Sequence, residues 1–486
     1  MEIELKLALP FSDPERLLAQ LKRAPPLARR KATTAALHNI YFDTPEHALR
    51  QQRVALRLRR LGGEGDGDDA PQWLQTLKTS GQADSALSQR GEWELAVDGP
   101  ALSAQALQGT PWSDIDPHGQ LWSALAPCFE TNFERTCWLV RRRDGSAVEL
   151  ALDRGRIVAG DRAAPLCELE LELLAGPPSA LFELAREIAR CLPVLPLAAS
   201  KAERGFALAQ RGHAEPHRAR PPALAPTLEL AQAAQQLLRE AFGQFLANLH
   251  VLIQADDPEI VHQARVGWRR FKSLWRLFRP ALVSLAAPDW QPLAGLLTGL
   301  GLLRDIDVAR GQTLPPLRSA FTAGQARRER AWQAMLRGML RAAAQQRSQV
   351  LVALSQAPVG ECLLATTEWI ERLSAPDGST RGALKPWVRQ RVRRLHQRLL
   401  AVESNLAVEA QQHRVRILAK RLRYSVEALH AFLPKRSAPA WLRQAADLQS
   451  ELGLRRDRAQ AASLVADMGA TPELAAFLRG VAATTT

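Results

Sequence analysis

Near the front of the chain, charged side chains recur on every second residue: Glu2 and Glu4 then Lys6; Arg57 and Arg59; Glu92 and Glu94 after Arg90; Glu168, Glu170 and Glu172. Residues two apart on a strand share a face, so each run stacks charges ~7 Å apart. Like charges in that position repel unless ions or opposite charges lie across from them. A single such run is ordinarily a solvated strand face. Several runs of one sign within residues 1–210 call for something that neutralises them. Carboxylates at close quarters without cysteine or histidine suit hard divalent cations such as Mg2+ or Mn2+, and Arg and Lys grip phosphate oxygens. A site with both suits a metal-bound polyphosphate, and hydrolysis is the simplest reaction to expect there.

The elements that carry these runs read as strands. Period-2 alternation marks Glu2–Leu7, Val54–Arg59, Trp73–Lys78, Arg90–Leu95, Val148–Asp153 and Cys167–Leu174. Helical pieces fall near Asp13–Arg23 and Ser179–Cys191. Residues 1–210 are therefore expected to be α+β and largely antiparallel. One geometry satisfies every run at once: a closed antiparallel β-barrel with a charged lumen and helices over its outer face.

These residues resemble the CYTH superfamily of triphosphate tunnel metalloenzymes. Glu2-Ile-Glu-Leu-Lys6 is similar to its E-x-E-x-K signature, and Asn39–Thr44, Leu56–Arg59, Gln75–Lys78, Arg90–Glu94, Phe133–Arg135, Ala151–Asp153, Glu168–Glu172 and Ser200–Arg204 follow in the expected order. The resemblance implies an eight-stranded tunnel that takes a linear triphosphate end-on with Mg2+ or Mn2+. It assigns Glu2, Glu4, Asp153, Glu168 and Glu170 to the metal, with Glu94 and Glu172 at the margin. It assigns Lys6, Arg57, Arg59, Lys78, Arg135, Lys201 and Arg204 to the phosphates, and Glu4, Lys6, Glu170 and Lys201 to catalysis. Substrates across that superfamily include nucleoside, thiamine and inorganic triphosphates, and the tunnel alone does not separate them.

Residues 211–226, RGHAEPHRARPPALAP, have linker chemistry. Beyond them strand patterns vanish and long amphipathic helices are expected over Thr227–Gln254, Pro258–Phe278, Leu293–Thr313, Phe321–Gln356, Thr366–Leu373, Pro386–Ala407, Gln411–Phe432 and Pro439–Met468. Charge divides with them. Residues 1–210 hold 25 Lys+Arg against 28 Asp+Glu, net −3, which leaves 39 against 22 for 211–486, net +17, and +14 for the whole chain. A polyanion partner is expected for the second half. His262, Arg265, Arg269, Lys272 and Arg276 fall on one helical stripe, and His413, Arg416, Lys420 and Arg423 repeat it at an offset of 151 residues, with Arg270 matched by Arg421. Downstream, Gly301-Leu-Leu-Arg304-Asp305 echoes Gly453-Leu-Arg-Arg456-Asp457. Cationic ladders so spaced track a flexible chain of phosphates. The two blocks resemble the CHAD domain, a helical module of two four-helix halves, over about 225–475. The resemblance implies inorganic polyphosphate in a basic channel, held by His262, Arg265, Arg269, Arg270, Lys272, His413, Arg416, Lys420, Arg421 and Arg423.

Composition bounds the rest. At 486 residues, 46% hydrophobic and 23% charged, the chain is expected to form at least two soluble cores, 1–210 and 227–475. Five cysteines without C-x-x-C spacing indicate neither a disulfide framework nor a zinc site. No span of ~18 uncharged apolar residues and no secretory leader pattern is present, so a cytoplasmic address, beside polyphosphate deposits, is the expectation, with no membrane partner. No zinc finger or RNA-binding aromatic signature points to a specific nucleic acid. The expected activity is metal-dependent hydrolysis of tripolyphosphate to pyrophosphate and phosphate. The alternatives are a noncatalytic polyphosphate scaffold and a thiamine or nucleoside triphosphatase.

Overall fold

The computed structural model describes residues 2–61, 72–79, 85–210, 215–283, 285–373, 384–403 and 409–483. It forms two units, one of Met1–Glu215, Ile253–Ala255 and Ser355–Glu368, the other of Pro216–Leu252, Asp256–Leu354 and Trp369–Thr486. Of the linker stretch, residues 211–214 lie outside the described residues, and 215–226 hold neither helix nor strand.

In the first unit the strands are β1 (Glu2–Ala8), β2 (Ala32–Asp43), β3 (Val54–Leu61), β4 (Gln72–Thr79), β5 (Leu87–Val97), β6 (Ala126–Arg141), β7 (Ala147–Ala159), β8 (Arg162–Ala175) and the two-residue β9 (Leu195–Pro196). They are neighbours in the order β5-β4-β3-β2-β6-β7-β8-β1, and β1 pairs again with β5, so eight antiparallel strands close into a barrel. The charged runs meet in register across it: Glu2 faces Arg90, Lys6 faces Glu170, Lys78 faces Glu92 and Asp153 faces Glu168. Because the side-chain period is 2, this register turns every run inward together. Leu5, Leu7, Leu150, Leu152, Leu169 and Leu171 then point outward and are fully buried.

What buries them is a helical cover. The helices here are α1 (Pro14–Arg23), the short α2 (Ala48–Gln51), α3 (Trp112–Ile115) and α4 (Gln120–Ala124), then α5 (Ser179–Ala189) and α6 (Lys201–Ala209). Leu17 and Leu21 of α1 and Leu181, Leu184 and Ile188 of α5 pack on the outward leucines. Each such leucine contributes roughly 1.5–3 kcal/mol on burial, so the fold is stabilised outside the barrel wall and the lumen is left free to be polar. β2 and β6 escape the alternation rule. The inward positions of β2 and β6 include Asn39, Tyr41, Thr131 and Phe133, buried apolar or neutral polar side chains, so no run of one sign marks them.

The helices after residue 226 are α7 (Leu230–Gln254), α8 (Pro258–Phe278), α9 (Ala294–Val308), α10 (Arg318–Thr322), α11 (Ala326–Leu354), α12 (Ala357–Arg372), α13 (Leu384–Glu403), α14 (Glu409–Leu429), α15 (Ser437–Asp467) and α16 (Pro472–Ala483). α8 starts where Asp257 accepts the Glu259 N–H at 2.8 Å with Pro258 in the first turn. It buries Ile260, Val261, Ala264, Phe271, Leu274 and Phe278, the face opposite its cationic stripe. α12 begins nine residues before the expected Thr366, because Pro358 sits in its first turn and Gly360 near it, a composition that hides a helix start. α16 was not expected at all. No helix among the described residues is by itself long and apolar enough to cross a membrane, and all five cysteines are free thiols.

Candidate functional site

Inside the barrel, β7 and β8 bring three acids together. The carboxylate oxygens of Asp153, Glu168 and Glu170 lie within 4.8 Å of one another. Asp153 and Glu168 are fully buried. Cations hold them in place. Arg135 donates two hydrogen bonds to Asp153 at 2.7 Å and also pairs with Glu170. Lys201 Nζ lies 2.6 Å from Asp153 and 2.8 Å from Glu170 and touches Glu168, while Arg204 pairs with Glu168. Burial would raise the Glu170 carboxyl, but Lys201, Arg135 and Lys6 outweigh it and hold the group well below the usual carboxylate range. The Lys201 ammonium, which burial would push down, is raised by Asp153, Glu168 and Glu170.

Lys201 reaches this cluster from the first turn of α6. Ser200 accepts the Glu203 N–H at 3.1 Å, and the Glu203 carboxylate accepts the Ser200 N–H at 2.7 Å, a reciprocal capping box. The helix can lie against the barrel because residue 205 is glycine: a Cβ there would sit 2.0 Å from the Phe129 ring. Phe129 also stacks on Tyr41 at 4.5 Å and meets Phe206 edge-on at 5.0 Å.

A second group lines β1, β3, β4 and β5. Lys6 Nζ is 2.6 Å from Glu4, and Arg90 pairs with both Glu4 and Glu2. Lys78 joins Glu2 at 3.3 Å to Glu92 at 2.7 Å. Arg57 lies 3.4 Å from Glu92 and 3.5 Å from Glu94, and Arg59 lies 3.6 Å from Glu94 while donating to Asn39 at 3.0 Å. Burial opposes ionisation of Glu2, yet Lys78 and Arg90 bring it down to about 2. Its neighbour Glu92 is raised by burial and by the shared hydrogen bond with Glu2. Burial and the adjacent Arg57 and Arg135 lower Arg59 to about 10, and burial lowers the Lys6 ammonium.

The structure thus divides the residues expected for the metal. Asp153, Glu168 and Glu170 form one compact all-oxygen set, a donor chemistry that fits a hard divalent cation. Glu2 and Glu4 belong to the second group, tied to Lys78, Arg90 and Lys6. Glu172 stands across β1 from Glu4. Of the expected phosphate ligands, Arg57, Arg59, Lys78 and Lys6 share the second group, and Arg135, Lys201 and Arg204 the first.

In the helical unit, α8, α9, α14 and α15 bring His262, Arg265, Arg269, Arg304, Arg416, Lys420 and Arg456 into one field. Burial, Arg269 and the nearby Arg456 and Arg304 lower Arg265 to about 10. Burial with Arg269, Arg416 and Arg456 lowers Lys420 to about 7, and burial with Arg304 lowers His262 to about 4, so that ring is neutral near neutral pH. Gly301 explains itself here: a Cβ at that position would stand 2.7 Å from the Arg265 guanidinium, which lies across α9. The repeated acids cross over. Arg456 lies 3.6 Å from Asp305, and Asp457 in turn acts on Arg304.

Four expected ladder residues are placed elsewhere. Arg270 is buried, paired to Glu240 at 2.6 Å and donating to Gln244 at 2.6 Å, so it secures α8 to α7 and has no face left for a ligand. Lys272 Nζ lies over three indoles, 3.7 Å from the Trp290 centroid, 4.6 Å from Trp275 and 5.7 Å from Trp268. Arg423 is taken by Glu427 at 2.7 Å. His413 is exposed at the start of the second stripe, and Arg421 lies apart from Arg416 and Lys420, among other arginines.

Comparison with known proteins places both units. Residues 1–206 match the CYTH domain family and residues 236–466 the CHAD domain family. The chain is a CYTH domain followed by a CHAD domain. An inorganic triphosphatase of Haemophilus influenzae is 33% identical over 211 residues, 43% of this chain and 55% of that protein, so the chain spans about half the length of the curated relative it matches. The CHAD domain of Ricinus communis is 27% identical with a TM-score of 0.48, covering 55% of this chain and 90% of that one. A putative adenylyl cyclase from Hippeastrum, described as having a dominant triphosphatase activity, is 20% identical with a TM-score of 0.30, covering 43% and 96%.

Within the CYTH domain, the sequence reading passed over Arg90 and Glu92 as site residues, although both share the inward face of β5 with Glu94. Their alternation was the available signal. Asp43, inside the Asn39–Thr44 motif, is structural: it is fully buried and accepts the N–H groups of Thr44, Leu49 and Arg50 at 2.8–3.1 Å.

Proposed function

We propose that the CYTH domain is a metal-dependent triphosphatase that cleaves tripolyphosphate to pyrophosphate and phosphate, and that the CHAD domain binds inorganic polyphosphate. The observation that carries the first part is the coexistence in one enclosed barrel of a three-carboxylate set and a separate bank of five cations, Lys6, Arg57, Arg59, Lys78 and Arg90. The inorganic triphosphatase relative favours an inorganic substrate over an organic one.

Asp153, Glu168 and Glu170 are the residues that would hold Mg2+ or Mn2+, with Glu2 and Glu4 available from β1. The metal supplies charge neutralisation on the phosphoryl group and an activated water. The chain's own residues do the rest. Arg57, Arg59, Lys78 and Arg90 exchange their carboxylate partners for phosphate oxygens and fix the triphosphate along the bore. Glu170, held ionised, would serve as a metal ligand and is a poor proton acceptor. Lys6, whose ammonium burial has made more acidic, is placed to give a proton to the departing phosphate oxygen. Phosphate release from tripolyphosphate with Mg2+ or Mn2+ tests the reading, with Glu170→Gln as control. No turnover in the wild type, or faster turnover of thiamine or nucleoside triphosphates, would sink it.

The CHAD reading rests on the cationic field of α8, α9, α14 and α15, where Arg265, Arg269, Arg416 and Lys420 outnumber the acids Asp305 and Asp457. Retention of polyphosphate on the full chain, and its loss when Arg265, Arg269, Arg416 and Lys420 are reversed in sign, is the test. A cytoplasmic position beside polyphosphate deposits follows from the same proposal, and imaging a tagged chain checks it.

A further inference from the structure

A second cationic cluster lies in the CHAD domain away from the ladder. α13 carries Arg391, Arg394 and Arg398 at i, i+3 and i+7, one helical face. Arg276, near the end of α8, and Arg421, on α14, complete it. Packing brings the three helices together. Phe278 stacks on Trp387 with centroids 5.0 Å apart, which ties the start of α13 to the end of α8, and α14 packs along α13. The Arg391 guanidinium lies 5.8 Å from the centroid of the same Trp387 ring.

The five groups repel one another, and among the described residues no acid is paired with any of them. Burial, then Arg276, Arg398 and Arg391, lowers Arg421 below the ordinary arginine value. Burial, then Arg398 and Arg394, does the same to Arg391. Among the described residues none of the five guanidinium groups forms an ion pair or hydrogen bond, and the Nε atoms of Arg391 and Arg421 are buried without a partner. Arg270, the residue that matches Arg421 in the repeat, shows what this fold does with a structural arginine: it supplies Glu240 and Gln244. No such provision exists here. Buried donors left open in this way wait for acceptors from outside.

We infer that Arg276, Arg391, Arg394, Arg398 and Arg421 form a second phosphate site that engages only polyphosphates long enough to run past Lys272. The inference rests on the proposal that the CHAD domain binds polyphosphate. The cationic stripe of α8 runs from His262 to Arg276, roughly 21 Å at the α-helical rise, so a short chain is satisfied by Arg265, Arg269, Arg416 and Lys420 alone. A longer one continues onto α13. A nucleic acid is the less suitable occupant because Trp387, the aromatic ring at the site, already stacks on Phe278.

The experiment measures binding of the full chain to a polyphosphate shorter than ~21 Å, to one several times longer and to single-stranded DNA, across a salt series. Arg394→Gln with Arg398→Gln is the informative variant, since both side chains are exposed and the fold does not depend on them. The expected result is unchanged short-chain affinity, a loss of about tenfold for the long chain, and a long-chain salt slope shallower by about 1.4, from two phosphate contacts at ~0.7 each. Lysine at both positions restores the slope. Equal losses for both lengths, no loss for either, or a loss confined to single-stranded DNA overturns the second site while leaving the ladder intact, as Arg265→Gln with Arg416→Gln would then still abolish retention. A wild-type chain that retains no polyphosphate of any length overturns the underlying CHAD proposal as well.

Discussion

Lys201 Nζ sits 2.6 Å from Asp153 Oδ2, inside the same three-carboxylate set that offers its oxygens to a divalent cation. Ammonium and metal therefore compete for neighbouring oxygens. Lys201→Met keeps the bulk of the stem and removes the charge, and it is expected to tighten Mn2+ binding in the absence of substrate by about tenfold or more, while lowering tripolyphosphate turnover by about 10²-fold. Calorimetric titration with Mn2+ beside a phosphate-release assay checks both. Unchanged metal affinity would mean that the cation binds elsewhere in the barrel.

Glu2 gives a stability signature at acid pH. Its folded-state value, about 2, lies below the ordinary 4.5. A depressed carboxylate contributes stability that is fully present above ~4.5 and is lost as pH falls toward ~2, to a total of no more than about 3 kcal/mol. Thermal unfolding of Glu2→Gln should thus be less steep between pH 4.5 and 2 than that of the wild type, and lower at pH 6. Parallel curves would show that Lys78 and Arg90 do not hold this group as the geometry suggests.

Arg270 and Arg265 lie five residues apart on one helix and should behave oppositely. Removing Arg270 strands Glu240 in the interior, so Arg270→Ala is expected to cost about 3–5 kcal/mol with polyphosphate affinity unchanged for the molecules that remain folded. Arg265→Gln should leave the unfolding midpoint nearly unmoved and weaken binding. Denaturation curves and a retention assay on the same two variants separate the roles.

Polyphosphate affinity should depend on pH through Lys420. Arg269, Arg416, Arg456 and Arg265, together with burial, leave it at about 7 without a ligand. A bound polyanion favours its charged form, so binding takes up a proton and the affinity falls as pH rises from 6 to 8. In Lys420→Arg that slope should flatten, because the guanidinium keeps its charge. His262, already neutral, should add nothing to it: His262→Ala is expected to reproduce the wild-type profile.

Lys272 is expected to report on folding rather than on the ligand. Losing its ammonium from the three indoles should cost about 1–2 kcal/mol and shift the tryptophan emission of Lys272→Ala, with little change in polyphosphate affinity. A large loss of affinity at unchanged stability would return it to the ladder.

The sequence made the barrel legible because charged residues alternate with uncharged, mostly apolar ones on β1, β3, β5 and β8, and an inward acid run demands an inward basic one. β2 and β6 were invisible to the same test, since their inward positions include Asn39, Tyr41, Thr131 and Phe133. Spacing identified Arg265, Arg269, Arg416 and Lys420 as a face, yet it could not tell which neighbouring arginine would find a buried acid. Glu240 lies on α7, thirty residues before Arg270, and nothing in the local pattern announces that pairing. The face of Arg391, Arg394 and Arg398 was readable at its i, i+3, i+7 spacing but stood outside the repeat, which drew attention to α8 and α14 alone.

The two halves of the chain greet ions in unlike ways. In the barrel most inward acids already have a basic companion, from Glu2 with Lys78 and Arg90 to Glu168 with Lys201 and Arg204. Such a chamber is close to electroneutral and exerts little long-range pull. Whatever enters must trade places with existing ion pairs, and a metal and a phosphate arriving as a matched couple disturb that balance least. Ionic strength should accordingly matter little to the barrel and greatly to the helices.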